Sequence, residues 1–124
     1  MRENSPLEDK VVLAVDDEAD VLEAVEELLD MCHVVKKSTY ADAAQYLKTN
    51  QPDLALLDIM GVNGFDLLNQ CVAIKVPAVM LTAHAFTVET LKQSLDLGAR
   101  AYLPKEKMAD MAAFLEDVLT RSHN

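Results

Sequence analysis

The chain has 124 residues, a size that suits one domain with a sizeable core. Its formal net charge of −10 argues against direct contact with nucleic acid or an anionic lipid surface, both of which need a cationic face. No apolar run approaches the ~20 residues that span a bilayer.

The N-terminus, Met1-Arg2-Glu3-Asn4-Ser5-Pro6, has no apolar signal region. Residues 1–8 read as a flexible polar lead and 9–124 as one folded domain. Cys32 and Cys71 show neither framework nor metal spacing and read as small core hydrophobes. A cytoplasmic setting is the natural inference.

Residues 11–15, Val-Val-Leu-Ala-Val, form a continuous apolar run that ends in Asp16-Asp17-Glu18. Val21, Leu22, Val25, Leu28 and Leu29 follow at helical spacing, so a helix is expected over about 18–31. His33-Val34-Val35-Lys36-Lys37 is short, β-branched and guarded by lysines, as suits an exposed edge strand. Ser38 or Thr39 can cap the next helix, whose apolar side is Ala43, Ala44 and Leu47. Asn50-Gln51-Pro52 ends it.

Leu54-Ala55-Leu56-Leu57 runs straight into Asp58, the pattern of a strand buried on both faces of a parallel sheet. The turn Gly61-Val62-Asn63-Gly64 offers two glycines for positive φ. Phe65, Leu67, Leu68, Cys71 and Val72 make a short helix, and residues 76–81 a fourth strand ending at Thr82. Thr87 caps a helix to Leu97, with Val88, Leu91 and Leu95 on its apolar side and Gly98 as its stop. Residues 99–103 are the fifth strand, followed by Pro104-Lys105. Met108, Met111, Ala112, Leu115, Val118 and Leu119 line one side of the last helix, with the methionines read as core ahead of interface.

Five strand–helix units with short links imply an α/β fold, a doubly wound parallel sheet of order 2-1-3-4-5 between two helical layers, flavodoxin-like in topology. The carboxyl edge of that sheet then gathers Asp16 and Asp17 from the first strand, Asp58 from the third, Thr82 from the fourth and Lys105 from the fifth. The order changes direction between the first and third strands, where a crevice opens for ligands. Three acids in one place need a counter-charge, and oxygen-only donors suit Mg²⁺. A carboxylate nucleophile, a hydroxyl and an ammonium beside a cation suit phosphoryl transfer. Taken alone, Asp16-Asp17-Glu18 also suits a helix N-terminus.

Four stretches carry a family resemblance: Val15-Asp16-Asp17-Glu18, Leu56-Leu57-Asp58-Ile59-Met60, Thr82-Ala83, and Gly98 through Lys105. Over roughly residues 9–121 the chain resembles a response regulator receiver domain of two-component signalling. The resemblance implies that Asp58 is the phosphoacceptor. Asp17, Asp58 and the Met60 backbone carbonyl would ligate Mg²⁺, with Asp16 holding metal-bound water. Thr82 and Lys105 would bind phosphoryl oxygens, small Ala83 would leave room for the group, and Tyr102 would turn inward as Thr82 moves. The donor would be a sensor histidine kinase or a histidine phosphotransfer domain, docking on the first helix and the site loops. Phosphorylation would switch the face made by helix 4, strand 5 and helix 5, where Lys92, Arg100, Met108 and Met111 lie, for partner binding or a homodimer. Such a domain is no enzyme beyond its own phosphorylation and dephosphorylation.

Two departures from the family pattern stand out. The loop after Asp58 is about two residues short and lacks proline. Glu106 follows Lys105 where the family has proline after a cis bond, so either a costly cis bond is held here or the lysine is placed differently, and Glu106 adds an acid nearby. His84 stands at the rim, while His33 and His123 have no relay context.

The alternative is a receiver-like interaction module that takes no phosphate. An FMN carrier shares the topology, but Asp16-Asp17-Glu18 would repel its phosphate. A metal-dependent phosphatase lacks an evident cap or substrate pocket. Met1 suggests a natural start, and the end leaves open a single-domain regulator or a longer protein.

Overall fold

The computed structural model describes residues 5–59, 62–82 and 88–121. Strands β1 (Val11–Val15), β2 (His33–Lys37), β3 (Leu54–Asp58), β4 (Ala78–Thr82) and β5 (Ala101–Pro104) alternate with helices α1 (Ala19–Leu28), α2 (Tyr40–Thr49), α3 (Gly64–Ala73), α4 (Val88–Asp96) and α5 (Met111–Arg121). The sheet is parallel throughout, in the order β2-β1-β3-β4-β5.

The unbroken apolar runs follow from this arrangement, because both sheet faces are covered and successive side chains point to opposite layers. Leu13, Val15, Ala55 and Leu57 pack with Ala43, Leu47, Leu67, Leu68 and Cys71 of α2 and α3. Val12, Ala14, Leu54 and Leu56 pack with Leu22 and Val25 of α1 and Met111, Leu115 and Val118 of α5. Every residue of β3 and β4 is buried, whereas β2 has no fully buried residue and exposes His33 and Lys36, as an edge strand does.

Thr39 is the cap of α2, its hydroxyl oxygen accepting a bond from the Asp42 amide at 3.1 Å. Thr39→Ala leaves that amide without its partner, and a loss of about 1 kcal/mol is expected in denaturant unfolding. Gly98 ends the α4 segment at φ +113°, where a Cβ would also stand 2.8 Å from Val72 Cγ2. The left-handed backbone and the close methyl both select glycine.

Several expectations need correction. The lead does not run to residue 8: Leu7 is fully buried among the α1 and α5 side chains, and Ser5 Oγ donates to Glu116 Oε2 at 2.7 Å. Helix α1 stops at Leu28 because Leu29, with its side chain in the core, leaves helical geometry, and the Cys32 amide bonds its carbonyl to turn the chain into β2. Among the described residues of the turn before α3, positive φ falls on Asn63, at 53°, and not on Gly64, while Gly61 lies outside them. On α4 the buried position is Ser94, while Val88 and Leu95 face solvent. Ser94 tolerates burial because its hydroxyl bonds back to the Thr90 carbonyl at 3.3 Å. The last helix divides into a 3-10 segment over Lys105–Asp110 and then α5. Thr87 lies outside the described residues.

Candidate functional site

The ends of β1, β3, β4 and β5 meet at one edge of the sheet. Val15 pairs with Leu57, Asp58 with Leu81, and Thr82 with Pro104, so each strand delivers its next polar residue to the same place. Asp16 is fully buried and Asp58 is 5% exposed, whereas Asp17 is open to solvent. One carboxylate oxygen from each of the three lies within 4.8 Å of the others. Thr82 is buried at the end of β4. Tyr102 is half-buried on β5 beside Met80.

Lys105 enters from the end of β5. Its Nζ lies 2.9 Å from Asp16 Oδ2, 3.2 Å from Glu18 Oε1 and 3.4 Å from Asp58 Oδ1. No cis peptide bond occurs among the described residues, so the bond to Glu106 is trans and the lysine still reaches the site. The extra acid beside it is Glu18, while Glu106 is exposed.

Among the described residues Lys105 is the one cation paired with these acids, so charge balance is poor. Burial pushes the Asp58 carboxyl up to about 6, and the neighbouring Asp16 adds to this against the opposing pull of Lys105. Burial disfavours the charge on Lys105, but Asp16, Asp58 and Glu18 together outweigh it and hold its pKa above the ordinary lysine value. Asp16 Oδ1 accepts the Glu18 amide at 2.9 Å. Its Oδ2 has the Lys105 ammonium 2.9 Å away and no further hydrogen-bond donor among the described residues. A buried carboxylate oxygen with open acceptor capacity, aimed at two more carboxylates, fits a small hard cation.

Gly64 holds the floor of the site. A Cβ on it would stand 2.1 Å from the carbonyl oxygen of Asp58, so the first turn of α3 rests on the end of β3. The Gly64 amide bonds the Ile59 carbonyl at 3.3 Å across the same short loop. Sequence spacing marked this loop as short but did not show what the contraction brings together.

A family model for the response regulator receiver domain matches residues 12–116. The chain belongs to the response regulator receiver domain family. The receiver is 30% identical over 122 residues to the phosphate regulon transcriptional regulatory protein PhoB of Pseudomonas aeruginosa, covering 91% of this chain and 53% of PhoB. It is similar to the crystal structure of the NtrX receiver domain from Brucella abortus at 27% identity and TM-score 0.78, covering 90% of this chain and 99% of that one. The BeF3-activated DrrB receiver domain, at 20% identity and TM-score 0.80 over 91% of this chain and 99% of that one, shares the fold. The receiver spans about half the length of PhoB and 16% of the Arabidopsis thaliana regulator ARR18.

Within the receiver, Asp16, Asp17, Asp58, Thr82 and Lys105 come to one edge as the strand order requires. Met60, Ala83 and His84 lie outside the described residues. Lys92 and Arg100 are exposed, Met108 is half-buried, and Met111 is fully buried in the core. Sequence reasoning missed the contact of Glu18 with Lys105. Its signal was the position of Glu18 at the start of α1, facing the same crevice.

Proposed function

We propose that Asp58 accepts a phosphoryl group from the phosphohistidine of a sensor histidine kinase or histidine phosphotransfer domain. The observation that carries this reading is the Lys105 ammonium within 3.4 Å of both Asp16 and Asp58, inside a cluster of three carboxylates. A carboxylate oxygen of Asp58 forms the new P–O bond as the P–N bond to the donor histidine breaks. The bonding pair returns to the imidazole, and the product is an acyl phosphate. Lys105 draws one phosphoryl oxygen and the Thr82 hydroxyl donates to another, so charge developing on the group is met by fixed donors.

Asp17, Asp58 and the Met60 carbonyl would hold Mg²⁺ directly, and Asp16 would hold it through water. Bound there, Mg²⁺ neutralises the acids and shields the phosphoryl oxygens. Movement of Thr82 toward the phosphate would draw half-buried Tyr102 inward and reshape the face of α4, β5 and α5 for a partner or a second copy. Exposed Val88 and Leu95 give that face apolar surface to offer. We place the domain in the cytoplasm with its kinase. No helix among the described residues is long and apolar enough to cross a membrane.

Mg²⁺ titration followed by calorimetry tests the cation, with Asp17→Asn expected to weaken binding. An absence of Mg²⁺ binding at Asp17 and Asp58 would favour an interaction module that takes no phosphate. Lys105→Met is expected to slow phosphorylation by a small-molecule donor by about a hundredfold, the usual effect of removing one transition-state donor. An unchanged rate would remove Lys105 from the chemistry.

A further inference from the structure

We propose that Glu18 is a positioning residue that restrains Lys105 in the resting domain and must release it to the phosphoryl group. The inference rests on Asp58 being the phosphoacceptor. Glu18 is the N-cap of α1, yet its side chain makes no cap hydrogen bond to that helix. The carboxylate reaches instead to a residue 87 positions away, accepting from Lys105 Nζ at 3.2 Å. Its own backbone amide is fixed by Asp16 Oδ1, so the start of α1 aims the side chain at the site.

Lys105 therefore has three carboxylates to serve, two buried in the crevice and one at its mouth. Asp16 and Asp58 hold the ammonium inside, where a phosphoryl oxygen would meet it. Glu18, with a side chain 63% exposed, pulls it toward solvent. A phosphoryl group must outcompete this acid for the lysine, so Glu18 sets how readily the resting site accepts one. An exposed pair of this kind shifts an equilibrium by about two- to fivefold.

Fluoroberyllate, which binds a carboxylate oxygen as a phosphoryl mimic, tests this at saturating Mg²⁺. Its dissociation constant is measured for the wild type, Glu18→Gln, Lys105→Met and the double variant. Glu18→Gln is expected to tighten binding about two- to fivefold, and the same change in the Lys105→Met background to have no effect. Equal affinity in Glu18→Gln and wild type would overturn the inference. So would the same tightening with and without the lysine, since charge repulsion alone would then explain it. A wild type that binds no fluoroberyllate would remove the phosphoacceptor reading itself, a result distinct from the other two.

Discussion

Asp58→Asn is expected to stabilise the cation-free domain while removing its capacity for phosphate. Asp58 is 5% exposed and shares its crevice with fully buried Asp16, and Lys105 is divided among three acids. Its carboxyl is raised from 3.8 to about 6, chiefly by burial and then by Asp16. A raised carboxyl pKa means that the folded state holds the proton more tightly than the unfolded chain does. Ionisation therefore destabilises the fold fully above pH 6 and not at all below the ordinary carboxylate range. At 1.36 kcal/mol per unit the burden is on the order of 3 kcal/mol, and an amide that loses its lysine contact should recover about 1–3 kcal/mol of it. Thermal unfolding in a chelator should show a midpoint several degrees higher for Asp58→Asn at pH 7–8, with the gain shrinking as pH falls toward 4. A lower midpoint at neutral pH would mean that Asp58 is held by its surroundings rather than strained by them.

Gly64→Ala should be the most damaging conservative change near the site. The added Cβ would lie 2.1 Å from the Asp58 carbonyl oxygen, 3.0 Å from the carbonyl carbon and 3.0 Å from Ile59 Cα. All three are backbone atoms, so no side chain can rotate away. Relief requires the first turn of α3 to lift from the end of β3, against the packing of buried Leu67, Leu68 and Cys71. A loss of at least about 2–3 kcal/mol is expected in denaturant unfolding, at the upper end of overpacking effects. Asp58 moves with that backbone, so Mg²⁺ affinity should fall as well. If Gly64→Ala unfolds at the wild-type midpoint, the close approach does not exist in solution.

The sheet was legible because its central strands β1, β3 and β4 are short apolar runs that lead into Asp16, Asp58 and Thr82. Burial on both faces leaves no alternation to misread, and β2, with His33 and two lysines, declared itself as the edge. Once the order was set, the meeting of Asp16, Asp17, Asp58, Thr82 and Lys105 followed from topology. Helical faces were harder to read. Ser94 takes a buried position that periodicity assigned to Val88 and Leu95, since a serine that bonds its own helix backbone can pass for an apolar residue. Leu7 sat in a polar lead, and only its place in the core beside α1 and α5 side chains shows why one leucine there is buried. The ion pair of Glu18 with Lys105 and the approach of Gly64 to Asp58 depend on loop paths, which sequence spacing bounds but does not draw.

The central claim is that Asp58 takes a phosphoryl group with the help of a divalent cation. Its most direct test is intact-mass measurement after incubation with a small-molecule phosphodonor, with and without Mg²⁺, followed by mapping of the modified peptide. The expected result is a single phosphoryl addition that requires Mg²⁺, lies on the peptide bearing Asp58 and is absent from Asp58→Asn. An unmodified wild type, or equal modification of Asp58→Asn, would contradict it.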